Sequence, residues 1–280
     1  MLTTFLALAA GGYAVLVAVL YLGQRALLYR PDDTVPDPHA HDVADMTVVR
    51  IPVGDGVRSL AWWHPPRQSG WPVVVYFHGN AGHIGERAYK ARRMIDAGFG
   101  VLLSGYRYNS GAGGRPSETA LLADGQTAMR YVLDQGYAMD QLVLYGESLG
   151  SGIAVALAAD NGVGGLILET PYSSIAEVAQ AQYWFTPARW LIWDRYDSMA
   201  RIGRVRAPIL LFHGDADATI PVRFARRLHD AAPEPKEAHF LPGGGHTDLY
   251  DLGAGDLVIE FLERCAASIS ARSRLPESGQ

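Results

Sequence analysis

Between an apolar run, Gln141-Leu142-Val143-Leu144-Tyr145, and a helix-like run, Ser151-Gly152-Ile153-Ala154-Val155-Ala156-Leu157-Ala158-Ala159, lies Gly146-Glu147-Ser148-Leu149-Gly150. A buried strand, a sharp turn and a helix in direct succession leave the chain few ways to fold. Such a turn forces the serine to its tip with the hydroxyl exposed, and glycines two before and two after remove side chains that would collide there. In a chain with 31 glycines the five-residue pattern alone arises by coincidence. Its weight comes from what lies further along.

A serine hydroxyl is a poor nucleophile until a base takes its proton and a carboxylate orients that base. Candidates follow in the chain order serine, acid, histidine. Pro208-Ile209-Leu210-Leu211-Phe212 reads as a strand and ends in His213-Gly214-Asp215-Ala216-Asp217. Loops at the carboxyl ends of parallel strands are where α/β proteins keep reactive groups. Ala238-His239-Phe240-Leu241 then leads into Pro242-Gly243-Gly244-Gly245-His246, where three glycines let the imidazole reach back over the sheet. Asp215 and Asp217, two apart, are rival acids. A fourth part has a candidate in His78-Gly79-Asn80 after the apolar run Val73-Val74-Val75-Tyr76-Phe77. A serine in this arrangement takes one oxyanion-binding N–H from the following residue, here Leu149. The second comes from the loop after the third strand, here Asn80.

These pieces together resemble the α/β-hydrolase superfamily from about Thr47 to Ala267. Tyr106-Arg107, Gly114-Arg115-Pro116-Ser117-Glu118 and Asp197-Ser198 are similar to the membrane-anchored, serine-aminopeptidase-like branch. Relatives in that branch include lysophospholipid lipases and protein depalmitoylases. The branch pattern D-Y-R-G-Y-G-x-S-x-G-x-P-S-E departs here at Gly105, Tyr108, Asn109, Ser110 and Ala112. The resemblance implies an α/β fold: a mostly parallel central sheet with helices on both faces, preceded by one N-terminal transmembrane helix. Its H-G-x-x-D pattern selects Asp217 over Asp215. It also implies a Ser148–His246–Asp217 triad, an acyl-enzyme, and no metal or cofactor.

The first 24 residues carry no charge, and Phe5 to Leu22 is largely apolar. Eighteen helical residues reach about 27 Å, close to the roughly 30 Å of a bilayer core. No Lys or Arg precedes the run, as a cleaved secretory signal requires, so residues 1–24 read as a retained anchor. Arg25 and Arg30 on its C-terminal side favour a cytoplasmic catalytic domain. Residues 25–45 read as a polar linker, 46–268 as one catalytic domain, and 269–280 as a polar tail. A net charge of −5 gives no general attraction to nucleic acid. The expected partners are an acyl ester substrate, small or lipid-like, and a membrane.

Met46 to Val53 and Arg58 to Trp63 read as a hairpin turning at Gly54-Asp55-Gly56. Strands at Val73–Phe77, Gly100–Leu103, Leu142–Tyr145, Leu166–Leu168, Ile209–Phe212 and Ala238–Leu241 then alternate with helical patterns, as a parallel sheet covered on both faces demands. Residues 171–206 interrupt the rhythm with a lid-like insertion. Its Trp184, Phe185 and Trp190 are candidates for an acyl-pocket wall, or for core packing. His78 and His213 read as structural hydrogen-bonders, Cys265 as a core residue and Asp248 as a helix start. The expected chemistry is hydrolysis of carboxylic esters or thioesters with an apolar acyl group. A peptidase or amidase of the same fold and a catalytically silent binding module are the alternatives.

Overall fold

The computed structural model describes residues 1–273. Eight strands form one sheet: β1 (Thr47–Pro52), β2 (Arg58–His64), β3 (Val73–Phe77), β4 (Gly100–Ser104), β5 (Leu142–Glu147), β6 (Gly165–Glu169), β7 (Ile209–Gly214) and β8 (Lys236–Leu241). Their spatial order is β1-β2-β4-β3-β5-β6-β7-β8. The β1–β2 hairpin and the β2–β4 pair are antiparallel, and every later pairing is parallel. Nine helices accompany the sheet among the described residues: α1 (Leu2–Leu28), α2 (Ala88–Asp96), α3 (Glu118–Asp134), α4 (Leu149–Asp160), α5 (Ile175–Gln182), α6 (Ala188–Leu191), α7 (Met199–Ile202), α8 (Arg223–Ala231) and α9 (Ala254–Ser273).

The central strands are apolar on both faces because both faces are covered. In β3, Val73, Val75 and Phe77 enter one core with Leu102, Leu144 and Ile153. The alternate residues Val74 and Tyr76 enter the other with Leu103, Val143 and Phe261. Side chains two apart share a face, so one strand feeds two cores. Parallel pairing brings the carboxyl ends of β3, β5, β6, β7 and β8 to one edge of the sheet, where their loops meet.

Two boundaries differ from the sequence reading. The first helix runs to Leu28, and the stretch read as a linker is fastened to the domain: Tyr29 and Val43 are buried. Asn109 and Ser110 hold it through Asp32. Hydrophobic residues between its acids give it something to bury. At the other end α9 continues through Ser273, with Ile269 buried, so the polar tail does not begin at 269. Residues 274–280 of that tail lie outside the described residues. Asp248 does not start a helix either; its Oδ1 accepts the Gly245 N–H at 2.8 Å and closes the turn around His246.

Candidate active site

Ser148 sits between β5 and α4 at φ +50° and ψ −116°, a conformation that L-residues adopt only when their surroundings impose it. The surroundings are the two flanking glycines. A Cβ on Gly146 would lie 2.5 Å from the carbonyl oxygen of Gly150, and one on Gly150 would lie 2.0 Å from that of Phe77. The serine N–H donates to Glu169 O at 2.9 Å, and its carbonyl accepts from Ser151 Oγ at 2.6 Å. The hydroxyl therefore stands at the head of α4 with its backbone fully engaged.

His246 Nε2 lies 3.0 Å from Ser148 Oγ, and His246 Nδ1 lies 2.7 Å from Asp217 Oδ2. The acid is fixed from its other oxygen: Oδ1 accepts the N–H groups of Thr219 at 2.7 Å and Ile220 at 2.8 Å. His213 Nε2 is 3.1 Å from Oδ2 as well. Burial alone would raise the Asp217 carboxyl, but the hydrogen bonds from His213 and His246 outweigh it and hold the acid well below the usual carboxylate range. Asp215 is exposed and accepts the Gly243 N–H at 2.7 Å, bracing the glycine turn instead of the imidazole.

The loop after β3 lies beside the serine. Asn80 Nδ2 donates to Leu28 O at 2.6 Å, and its carbonyl accepts from Arg30 N and from the Tyr108 hydroxyl at 3.2 Å each. Among the described residues neither its N–H nor that of Leu149 donates a hydrogen bond, and both residues line the cavity that holds Ser148 and His246. Asn109 Nδ2 steadies the same loop by donating to Gly82 O at 2.9 Å. Tyr108 and Asn109 are two of the positions that depart from the branch pattern. Sequence reasoning gave them no role; their polar side chains beside an apolar strand were the available signal.

Beneath the elbow lies a buried charge cluster that sequence reading also missed. Lys90 Nζ contacts Glu169 Oε2 at 2.7 Å, Glu147 Oε2 at 3.1 Å and the Tyr76 hydroxyl at 3.2 Å. Arg87 Nη2 pairs with Glu147 Oε1 at 2.8 Å, Tyr76 donates to Glu147, and Tyr145 donates to Glu169 at 2.7 Å. Burial favours a neutral Glu147, yet Lys90 and Arg87 hold it well below the usual range. The available signal was Glu147 itself, an acid placed between a buried strand and the serine.

His78, expected to be a hydrogen-bonder, is not one through its ring. Both nitrogens lack partners among the described residues, and the ring lies against Tyr106 at 4.3 Å between centroids. Burial first, and then the charge of Arg87, push its pKa down to about 3. Between there and the ordinary 6.5, the unfolded chain binds a proton that the folded chain refuses. Stability contributed by the neutral ring is therefore present above pH 6.5 and falls as pH drops, by about 1.4 kcal/mol per unit. His78→Phe should lose that slope. Urea unfolding at pH 7 and pH 5 should show the wild type losing about 2 kcal/mol more than the variant; parallel profiles would refute the assignment.

The cavity has a volume of about 420 Å³, within the usual range for small-molecule sites. Its walls include Val17, Leu20 and Leu27 of α1, Ile175, Val178 and Ala179 of α5, and Tyr172, Tyr183, Leu191 and Ile192. Trp184, Phe185 and Trp190 do not line it. They point outward, with Trp184 and Trp190 exposed by 78% and 76%. The helical spacing of 175, 178, 179 and 182 turns the smaller side chains inward, and that periodicity was the legible signal. Asp32, His83 and Glu86 bring potential ligand atoms within 4.8 Å of one another, but Asp32 already holds Thr34 N and Glu86 pairs with Arg87.

An uncharacterized protein of Mycobacterium tuberculosis is 37% identical over 252 residues, covering 89% of each chain. The lysophosphatidylserine lipase ABHD12 of Danio rerio is 29% identical over 210 residues, 66% of this chain and 55% of that protein. Among solved structures, an esterase of Pyrococcus furiosus superposes with a TM-score of 0.67 at 16% identity, over 85% of this chain and 98% of that one. The chain belongs to the family of that Mycobacterium tuberculosis protein and has the α/β-hydrolase fold. Its mostly parallel sheet with helices around it is the fold the resemblance implied, and the apolar α1 is consistent with the membrane-anchored branch. No protein-family model matches the sequence.

Proposed function

We propose that this α/β-hydrolase cleaves carboxylic esters or thioesters bearing an apolar acyl group, through a Ser148–His246–Asp217 triad. The observation that carries the reading is the continuous chain of contacts from Asp217 through His246 to Ser148 Oγ at 2.7 and 3.0 Å, opening on an apolar cavity. His246 Nε2 takes the serine proton as Oγ attacks the carbonyl carbon, while Asp217 holds the Nδ1–H and stabilises the imidazolium. The Leu149 and Asn80 amides receive the oxyanion. His246 then protonates the leaving alcohol or thiol. A water deprotonated by the same nitrogen attacks the acyl-enzyme and releases the acid.

An ester is favoured over a peptide because no acidic side chain lines the cavity among the described residues, and a free α-amino group would need one. The lipase activity in the name of the Danio rerio relative supports a lipid-like substrate. In this reading α1, long and apolar enough to cross a membrane, anchors the chain, with Arg25 and Arg30 on the cytoplasmic side.

A fluorophosphonate probe should label the wild type and leave Ser148→Ala unlabelled. A series of p-nitrophenyl esters, with a lysophospholipid and an acyl thioester alongside, should show turnover lost in the same variant. Labelling that persists in Ser148→Ala would sink the proposal.

A further inference from the structure

Only one residue of α1 is buried, and it is polar: Gln24. Its Oε1 accepts the Trp193 N–H at 2.7 Å, and its Nε2 donates to Leu191 O at 3.3 Å. Arg25 pairs with Asp194 at 2.8 Å, and the Tyr29 hydroxyl meets that of Tyr196 at 3.0 Å. Nearer the N-terminus, Tyr21 stands edge-on to Trp193 at 5.0 Å, and the Tyr13 hydroxyl donates to Phe185 O at 3.0 Å. These contacts fix both the rotation and the register of the helix against residues 185–196.

The face so fixed carries Val17, Leu20, Gln24 and Leu28, three or four apart, which is one stripe of a helix. That stripe walls the cavity containing Ser148 and His246, and α5 supplies an opposing stripe with the same spacing. The cavity is a slot between two helices, and one of them is the apolar N-terminal helix.

Length says where the slot opens. The hydrocarbon core is about 30 Å thick and needs about 20 helical residues. Leu2 to Gly12, the part of α1 before its first contact with residue 185, supplies roughly 16 Å of helix. A helix that crosses must therefore hold part of the stretch from Tyr13 to Gln24 inside the hydrocarbon, and residues 185–196 go with it. The outward Trp184 and Trp190 beside them have the side chains that settle at a membrane interface.

We propose that α1 is a wall of the acyl-binding slot, that the slot takes its acyl chain from the bilayer, and that Val17 and Leu20 set chain-length preference. This rests on the ester-hydrolase reading above. The anchor and the specificity site are then one element.

The full chain, reconstituted in phosphatidylcholine vesicles, tests it with p-nitrophenyl butyrate and p-nitrophenyl palmitate. Leu20→Trp narrows the slot and should lower the palmitate-to-butyrate ratio of kcat/KM at least tenfold. Leu20→Ala widens it and should shift the preferred chain to longer acyl groups. Leu22→Trp, on the lipid-facing side where Leu22 is 73% exposed, should keep the wild-type ratio. Fluorophosphonate labelling reports which variants fold; if Leu20→Trp is not labelled, Leu20→Ala decides. Ratios within twofold of wild type in the labelled Leu20 variants overturn the proposal, as does an equal shift in Leu22→Trp. A wild type that the probe does not label overturns the hydrolase reading itself, and this one with it.

Discussion

Asp217→Asn is expected to lower kcat by about 10⁴ while leaving the fold intact, the cost of holding the catalytic imidazole in the wrong tautomer. The orientation of the new amide is dictated by its neighbours. The Thr219 and Ile220 N–H groups donate to Oδ1 at 2.7 and 2.8 Å and so require an oxygen there. The NH₂ must then replace Oδ2, which lies 2.7 Å from His246 Nδ1. Facing a donor, Nδ1 gives up its proton and Nε2 carries it, so Nε2 no longer accepts from Ser148 Oγ. His213 Nε2, 3.1 Å from the same position, meets a second donor, but it keeps the Ile220 carbonyl at 2.8 Å. Asp215→Asn should leave kcat within about threefold of wild type, because among the described residues the Asp215 carboxylate accepts only the Gly243 N–H. Pre-steady-state burst kinetics on a p-nitrophenyl ester would read both effects. Equal losses in the two variants would show that the acid had been assigned to the wrong residue.

The sheet was legible because each central strand is an uninterrupted apolar run, a pattern that only burial on both faces explains. The elbow was legible because glycine is required at two places that the backbone itself crowds. The acid was harder. The H-G-x-x-D resemblance selected Asp217 over Asp215, but the physical reason is the pair of amides at Thr219 and Ile220, which exists only after the chain has turned. The aromatic residues of the insertion misled for a related reason. Hydrophobicity marks Trp184 and Trp190 for burial, yet both point outward from the insertion that packs against the apolar α1. Periodicity, which sets direction, pointed to Val178 and Ala179, while composition pointed to the rings. The wall contributed by α1 was invisible for a different reason. A hydrophobic run declares its length, and only tertiary contacts such as those of Gln24 declare which stripe faces the domain.

Lys90→Met is expected to destabilise the protein by about 3–5 kcal/mol, a drop in apparent melting temperature of roughly 10 °C. The methionine fits the volume of the lysine stem, so the loss is electrostatic. Lys90 is 3% exposed and sits between Glu147 and Glu169, themselves 7% and 1% exposed. With it gone, Arg87 still pairs with Glu147, but it does not reach Glu169. Glu169 keeps the Tyr145 hydroxyl and no charge partner among the described residues. A buried carboxylate without a cation is costly. The effect reaches the site because the Glu169 carbonyl holds the Ser148 N–H at 2.9 Å, and Glu147 is the residue before the serine. Pairing Lys90→Met with Glu169→Gln removes both the lysine and the stranded charge, so the double variant should recover part of the stability. Thermal unfolding in detergent measures it. A loss under 1 kcal/mol for Lys90→Met, or no recovery in the double variant, would mean that water already reaches the cluster and that the charges do not hold the elbow.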